Sequence, residues 1–332
     1  MDNIVSYEKI SCKIDKSISI LKSCQIDVPK YDPKYSHLEE KRSWRLSNDV
    51  PWNKALEGKR KVKGIIFLGC SFTWGQGLYY YSNLDSLREP MYCHYDSLLI
   101  KPSHIKYMES VRFGRMVANH FNTFETIIPK NGNTNQTIID WCIKDLFEDP
   151  NFGQYMAVIS PCEFGDFSHV IFQMTEWSRK RVYITVDGVK HEILNNNHRY
   201  DATMAPIFNK FLSENNITVE EFEQFLIKIN MEDVKDFLQF IESKGIKSYL
   251  MTWPEEFVPL IEQDEFLSSR FIKFSYKENE FTSLRELMNK HPEMVIMTDY
   301  EEFVDTPKDT HPSLKCHKLI ADSVIQKIEQ VG

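Results

Sequence analysis

Two short segments at opposite ends of the sequence carry side chains that could act together in catalysis. The first, GCSFTWGQGL, places Ser71 directly after an apolar run, with glycines on both sides that let the backbone turn sharply. The second, DTHPS, supplies the Asp309 carboxylate and the His311 imidazole. A serine hydroxyl becomes a useful nucleophile when a base takes its proton, and imidazole serves best when a carboxylate holds its tautomer. The two segments therefore contain the groups that nucleophilic catalysis by serine needs.

The order of these segments resembles the SGNH (GDSL-like) hydrolase superfamily. Its first block reads roughly Gly-Asp-Ser-Phe-Thr-x-Gly, and its last is an Asp/His pair ahead of the final helix. The resemblance implies that Ser71 is the nucleophile, His311 the general base and Asp309 the partner that orients it. Cys70 replaces the usual aspartate of the first block. Asp309 precedes His311 by two residues instead of three, so Asp305 is an alternative partner.

The intermediate blocks of the family supply donors to the developing oxyanion: a glycine N–H after the second strand and an Asn side chain after the third. The sequence NGNTN follows the second strand, so the resemblance implies backbone donors at Ser71 and Gly132. The third block, Gly-x-Asn-Asp, is absent, and QMTEWSR stands in its place. The side-chain donor is therefore open among Gln173, Thr175 and Asn135, of which Gln173 is preferred. By order of blocks the resemblance spans residues 62–330, and the first and last blocks are the specific ones.

Aromatic and basic side chains near these blocks could contact a substrate. The candidates are Trp74, Thr175, Trp177 and Arg179: tryptophan can stack on a sugar, although most tryptophans pack in cores, and arginine can meet an anionic group. The glycine-rich turn lacks the Gly-Lys-Ser/Thr ending of a phosphate-binding loop, and the histidines form no HxxxH or HExxH pattern. We predict no metal and no cofactor.

The elements that must position these residues follow from the hydrophobic pattern. Short apolar runs predict buried strands, and apolar positions at three- and four-residue spacing predict helices between them. The predicted strands are 64–69, 126–128, 169–174, 248–252 and 294–297, and the predicted helices are 104–120, 135–147, 218–244 and 312–330. This alternation predicts an α/β fold. The resemblance makes it a three-layer α/β/α sandwich with a flavodoxin-like, mostly parallel, five-stranded sheet.

Two parts of the chain depart from this alternation. Residues 1–61 are polar with scattered prolines and aromatics, and we predict an arm packed on an α/β domain that spans 62–332. Apolar and polar residues alternate about Asp187 and Gly188, which predicts a β-hairpin. We place this hairpin in an insertion at about 178–215, near the carboxyl ends of the strands.

Composition excludes several classes of protein. Of 332 residues, 42% are hydrophobic and 13% aromatic, so disorder is excluded. Forty basic and 48 acidic residues give a net charge of −8, which does not suit a nucleic-acid partner. No run of residues is long and apolar enough for a membrane helix or a secretory signal, so no membrane partner is predicted. Seven cysteines without a CxxC pair indicate reduced thiols and a cytoplasmic location, with a virion origin open.

Taken one at a time, a glycine-flanked serine and an Asp/His turn are ordinary turn and cap residues. Their joint occurrence in this order favours catalysis. The resemblance implies a serine esterase, with O-deacetylation of a carbohydrate as the preferred reaction and a small-molecule or carbohydrate ester as the substrate. Two alternatives stay open: an acyltransferase that uses the same site, and a catalytically silent protein with a binding or virion-assembly role. The oligomeric state is not predicted.

Overall fold

The computed structural model describes residues 26–27, 63–75, 78, 102–129, 134–143, 164–194, 197–296 and 311–331. The strands are β1 (Ile26–Asp27), β2 (Gly64–Gly69), β3 (Glu125–Pro129), β4 (Phe167–Met174), β5 (Val182–Val186), β6 (Val189–Ile193), β7 (Lys247–Thr252), β8 (Phe274–Tyr276) and β9 (Asn279–Phe281). The helices are α1 (Ser71–Trp74), α2 (Pro102–Val111), α3 (Phe113–His120), α4 (Asn135–Trp141), α5 (Asn197–Tyr200), α6 (Met204–Asn215), α7 (Val219–Ser243), α8 (Val258–Gln263), α9 (Glu265–Ser268), α10 (Leu284–Lys290) and α11 (Leu314–Val331).

The central sheet is parallel and has the order β3-β2-β4-β7. Its strands are the apolar runs of the sequence, and Leu68 aligns with Ile128 on one side and with Phe172 on the other. Phe172 in turn aligns with Leu250. Because the strands are parallel, their carboxyl ends meet at one edge of the sheet.

Helices cover both faces of this sheet and make three layers. Ile66 and Leu68 point into a cluster that holds residues of α4 and α7, whereas Ile65 and Phe67 point into a cluster that holds residues of α3 and α11. This alternation follows from the two-residue period of a strand, and it explains why every residue of β2 is buried. The predicted α/β class and parallel sheet are confirmed.

The central sheet has four strands among the described residues where the sequence predicts five. The predicted last strand begins at Met294, but Pro292–Met294 forms a 3₁₀ turn and Val295 makes a single antiparallel bridge to Pro312. Pro292 lacks an N–H and has a fixed φ, which suits the first residue of a turn better than a central strand. Met297 lies outside the described residues.

The predicted hairpin is β5–β6, with Asp187 and Gly188 in the left-handed conformation at its turn (φ 53° and 76°). The hairpin lies outside the central sheet. Strand β1 pairs antiparallel with β5, so β1, β5 and β6 form a separate small sheet of order β1-β5-β6. Apart from Ile26–Asp27, residues 1–61 lie outside the described part.

The long helix α7 follows the sequence signal at both ends. The Thr218 hydroxyl accepts from the Glu221 N–H (3.1 Å), and the Glu221 carboxylate accepts from the Thr218 N–H (2.8 Å). The chain leaves the helix through Gly245, whose φ is 80°. Among the described residues, no helix has the length and apolar character that a membrane crossing requires.

Candidate active site

Ser71 lies at a sharp turn from β2 into α1. Cys70 is still extended (φ −101°, ψ −155°), and Ser71 is the first residue of the helix. The short helix ends at Gly75, whose φ of 85° requires glycine and whose N–H donates to the carbonyls of Ser71 (3.1 Å) and Phe72 (3.2 Å). Ser71 is partly exposed, while Cys70 and Phe72 are buried. The turn therefore leaves Ser71 partly accessible to solvent and buries the residues on either side of it.

Gly69 makes this turn possible. A Cβ at this position would lie 2.0 Å from the Thr73 hydroxyl oxygen and 2.8 Å from the Gln173 side-chain oxygen. Both distances are shorter than any real contact of a Cβ atom, so only glycine allows helix α1 to fold back on the end of β2.

Gln173, the preferred side-chain donor, is fully buried. Its Oε1 accepts from the Cys70 N–H (3.4 Å), the Cys70 thiol (3.3 Å) and the Thr73 hydroxyl (3.1 Å). Its Nε2 donates to the Met174 carbonyl (2.8 Å). The carboxamide thus contacts the residues on either side of Ser71, and its role as an oxyanion donor stays a prediction.

His311 lies against the same turn. Its ring centroid is 5.2 Å from that of Phe72, the residue after Ser71, with the rings edge to face at 78°. His311 is partly exposed, and its carbonyl accepts from the Ile296 N–H (2.9 Å). The fold therefore brings the predicted base to the predicted nucleophile's turn. Asp309 and Asp305 lie outside the described residues, and their role stays a prediction.

Ser313 holds this histidine segment in place. Its N–H donates to the Met294 carbonyl (2.8 Å), and its hydroxyl donates to the Glu293 carbonyl (2.8 Å). The same hydroxyl accepts from the Cys316 N–H (3.2 Å), as an N-cap does. Helix α11 thus begins at Leu314, two residues later than the sequence predicts, because Ser313 is the capping residue.

A second histidine of this region is buried under the site. His317 is fully buried, its Nδ1 accepts from the Phe113 N–H (3.2 Å), and its ring stacks on the Phe113 ring at 5.8 Å. Burial, together with the charges of Arg112 and His311, lowers the pKa of His317 to about 3. His317 is therefore neutral at physiological pH and acts in packing.

Asn135 joins the start of α4 to the end of β4. Its Oδ1 accepts from the Thr175 N–H (2.8 Å), and its Nδ2 donates to the Thr175 carbonyl (3.4 Å) and to Asn230 Oδ1 (3.2 Å). Asn135 is fully buried, so both of its polar atoms are used inside the fold. Gly132 lies outside the described residues.

Thr175 follows the last residue of β4, at the carboxyl edge of the sheet. Its hydroxyl oxygen accepts from Arg179 Nη1 (2.8 Å). Arg179 is partly exposed in the 3₁₀ turn Trp177–Arg179, whereas Trp177 is buried in the core cluster of the α4 and α7 face. Of the four predicted substrate contacts, Trp177 thus packs inside the fold, and the Trp74 side chain lies outside the described part.

One residue beside the site was missed by sequence reasoning. Trp253 packs edge to face on Phe72 with ring centroids 4.6 Å apart, and its indole N–H donates to the Glu176 carboxylate (2.7 Å). The Arg285 N–H donates to the Trp253 carbonyl (3.1 Å), and the Arg285 guanidinium pairs with Glu255 at 3.2 Å. Trp253 directly follows a strongly predicted strand, and that position could have revealed it.

The arrangement supplies a partly exposed hydroxyl at the apex of a turn, an imidazole against that turn, and a sheet edge with polar side chains. No group of three or more His, Cys, Asp or Glu side chains in the described ranges is placed to hold a metal ion. These are the parts that acyl transfer through a serine uses.

Comparison of the sequence with models of known protein families found no match, and comparison with curated proteins found none either. Among solved structures, the chain is similar to a carbohydrate esterase described as having divergent catalytic and non-catalytic binding functions. The TM-score is 0.38 at 15% identity, with 83% of this chain and 70% of that chain covered.

Two further solved structures are similar. One is an acetyl xylan esterase from the rumen bacterium Butyrivibrio proteoclasticus, with a TM-score of 0.40 at 11% identity. That match covers 81% of this chain and 64% of the esterase, so the chain spans less than two thirds of that relative. The other is a GDSL-like lipase from Bacteroides thetaiotaomicron, with a TM-score of 0.29 at 9% identity, covering 90% and 98% of the two chains. Likeness at this level does not determine the activity of the chain.

Proposed function

We propose that the protein is a serine esterase in which Ser71 is the nucleophile and His311 the general base. The observation that carries this proposal is the contact between the His311 ring and Phe72, since it places the imidazole beside the Ser71 turn. The partial exposure of Ser71 and His311 supports it, because a substrate must reach both groups. Cys70 is buried and its thiol donates to Gln173, which favours Ser71 over Cys70 as the nucleophile.

In the proposed reaction, Ser71 Oγ attacks the ester carbonyl while His311 takes the hydroxyl proton. The tetrahedral intermediate collapses, His311 returns that proton to the leaving alkoxide, and an acyl-serine remains. Water then attacks the acyl group with His311 again as base, and the carboxylate product leaves. Asp309, or Asp305 as the alternative, would hold the tautomer of His311.

The oxyanion would be bound by backbone N–H groups of Ser71 and Gly132. For the side-chain donor, the contacts favour Thr175 over Gln173 and Asn135. Asn135 Nδ2 donates both of its hydrogens inside the fold, and Gln173 Nε2 donates one of its two to the Met174 carbonyl. The Thr175 hydroxyl oxygen accepts from Arg179, and among the described residues its own hydrogen is left to donate. A positioned donor of this kind is worth about 3–4 kcal/mol of barrier.

For the substrate, we propose an O-acetyl or related acyl ester on a carbohydrate or a small molecule. Trp253 and Glu176 lie at the same sheet edge and offer an aromatic surface with a carboxylate beside it. Transfer of the acyl group to a sugar hydroxyl, in place of water, would use the same residues. Analysis of the products formed with and without a sugar acceptor distinguishes the two reactions.

The decisive experiment is labelling with a fluorophosphonate probe, with p-nitrophenyl acetate hydrolysis as the second readout. We expect the wild-type chain to take the label and Ser71→Ala to take none. Ser269→Ala is the matched control, because Ser269 is an exposed serine whose hydroxyl donates to the Phe266 carbonyl (2.9 Å) in a surface turn. If the folded wild type takes no label and hydrolyses the ester no faster than Ser71→Ala, the esterase proposal fails and a silent binding protein is favoured.

A further inference from the structure

The carboxamide of Gln173 has an orientation that two backbone atoms determine. The Cys70 N–H can only donate, so the atom 3.4 Å from it is the side-chain oxygen. The Met174 carbonyl can only accept, so the atom 2.8 Å from it is the amide nitrogen. No flipped orientation satisfies both contacts.

This orientation decides the direction of two further hydrogen bonds. Because Oε1 is an acceptor, the Thr73 hydroxyl at 3.1 Å and the Cys70 thiol at 3.3 Å must both donate to it. One buried oxygen therefore receives three donors, from the residue before Ser71 and from the second residue after it. Thr73, Cys70 and Gln173 are all buried, so water does not compete with these bonds.

Cys70 and Gln173 are also the residues that depart from the first and third blocks of the SGNH pattern, and they contact each other. A carboxylate at position 70, as that pattern has it, would point negative oxygens at Gln173 Oε1. A thiol at position 70 donates there instead. The two departures are thus compatible with each other.

We propose that Gln173 is a positioning residue for the nucleophile: its side-chain oxygen holds the turn from Cys70 to Thr73 so that Ser71 faces His311. This inference rests on the proposed esterase function for its catalytic consequence. We call the three hydrogen bonds from Cys70 and Thr73 to Gln173 Oε1 the clamp. The clamp is a property of the fold, so it can be tested without measuring activity. It also explains why Gly69 has no room for a Cβ, since Thr73 and Gln173 fill that space.

The catalytic test uses Thr73→Val, which removes one donor and keeps the shape of the side chain, and Thr73→Ser, which keeps the hydroxyl. We expect Thr73→Val to lower kcat and the rate of fluorophosphonate labelling by about tenfold with KM within about twofold, the result of misplacing a nucleophile. Thr73→Ser should restore most of both rates. Ser248→Ala is the control: it removes a buried hydroxyl that donates to Glu242 (2.8 Å) near the amino end of β7, and it should leave kcat unchanged.

The second readout is the reactivity of the Cys70 thiol toward N-ethylmaleimide in the native protein, followed by peptide mass spectrometry. In Gln173→Met, which removes the acceptor at nearly constant volume, we expect alkylation of Cys70 to accelerate at least about tenfold, because an opened turn exposes the thiol. Cys142 and Cys316, which are buried elsewhere, should react as slowly as in the wild type. Should Gln173→Met fail to fold, Thr73→Val gives the same comparison.

The two proposals fail in different ways. If the wild type takes the label but Thr73→Val labels at the wild-type rate, the positioning role is wrong and the esterase stands. If the wild type takes no label, the esterase fails, and the alkylation rate of Cys70 still decides whether Gln173 holds the turn. Equal Cys70 reactivity in the wild type and the variants would overturn the clamp.

Discussion

The turn around Ser71 and the ion cluster under α3 hold the chain by different means. At the turn, neutral groups of Gln173, Cys70 and Thr73 make the contacts. In the ion cluster, the Glu125 carboxylate accepts from Arg112 Nη2 and from Arg115 Nε, each at 2.8 Å.

The use of neutral groups in one region and charged groups in the other has a different energetic consequence for each. Arg112 and Glu125 are each 1% exposed, so their charges must stay paired, because removal of one partner would leave a buried charge uncompensated. Neutral hydrogen-bonded groups cost less to bury than charged groups do. The contacts that hold the turn therefore add no charged group to the proposed site.

The largest expected effect is on catalysis and concerns His311, the proposed base. We expect His311→Ala to lower kcat/KM for p-nitrophenyl acetate by roughly 10³-fold or more, because the hydroxyl proton then has no acceptor. Thermal unfolding should change little, since His311 is partly exposed. His120→Ala makes the same chemical change at an exposed histidine of α3 and should keep full activity. If His311→Ala keeps near-normal activity, His311 is not the general base.

The next largest effect is on stability and concerns the ion cluster. We expect Arg112→Met to lower the free energy of unfolding in urea by about 3–5 kcal/mol, since a buried carboxylate loses one of its two partners. Arg270→Met is the comparison: the Arg270–Glu242 pair is 23% and 26% exposed, and its loss should cost about 1 kcal/mol or less. Equal losses in the two variants would contradict the contrast between the regions.

A smaller effect on catalysis concerns the side-chain donor to the oxyanion. We expect Thr175→Val to lower kcat by roughly 10²-fold and Thr175→Ser to keep most of it. Thr126→Val tests for a general effect of burying a valine, because the Thr126 hydroxyl is buried and has no hydrogen-bond partner among the described residues. Thr126→Val should be as active as the wild type. If Thr175→Val also keeps the wild-type kcat, Thr175 is not the side-chain donor.

The smallest effect is a change in the pH dependence of stability. The folded pKa of His317, about 3, lies below its unfolded value of 6.5, so at pH above 6.5 the residue is neutral in both states. As the pH falls from 6.5 toward 3, the unfolded chain binds a proton that the folded chain does not, and stability is lost. The charges of Arg112 and His311 lower the pKa of His317, and the Phe113 N–H donates to its Nδ1.

We expect His317→Asn to make the slope of unfolding free energy against pH shallower between pH 6 and 4 by up to about 1.4 kcal/mol per pH unit, the value of one proton. Asparagine keeps an acceptor for the Phe113 N–H. Identical slopes in the wild type and His317→Asn would show that His317 does not titrate in this way.

The sequence predicted the elements whose signals are local. The apolar run of β2, the Asp187–Gly188 hairpin and the Thr218 capping box each depend on neighbours within a few residues, and each is present. The predicted start of α11 was two residues early, because Ser313 accepts from the Cys316 N–H as the cap, and bonds to the Glu293 and Met294 carbonyls hold Ser313 in that place. The contacts that hold Ser313 join residues about twenty positions apart, and such contacts have no local signal.

The sequence by itself determined which residues could do chemistry, namely a serine in a glycine-flanked turn and a histidine before the final helix. It did not determine their surroundings. That Gln173 faces Cys70 follows from the register of β4 beside β2. That Trp253 and His311 both contact Phe72 follows from the position of β7 in the sheet and the packing of α11 on one of its faces. Register and packing are fixed by contacts between residues far apart in the chain, and only the tertiary structure decides those contacts.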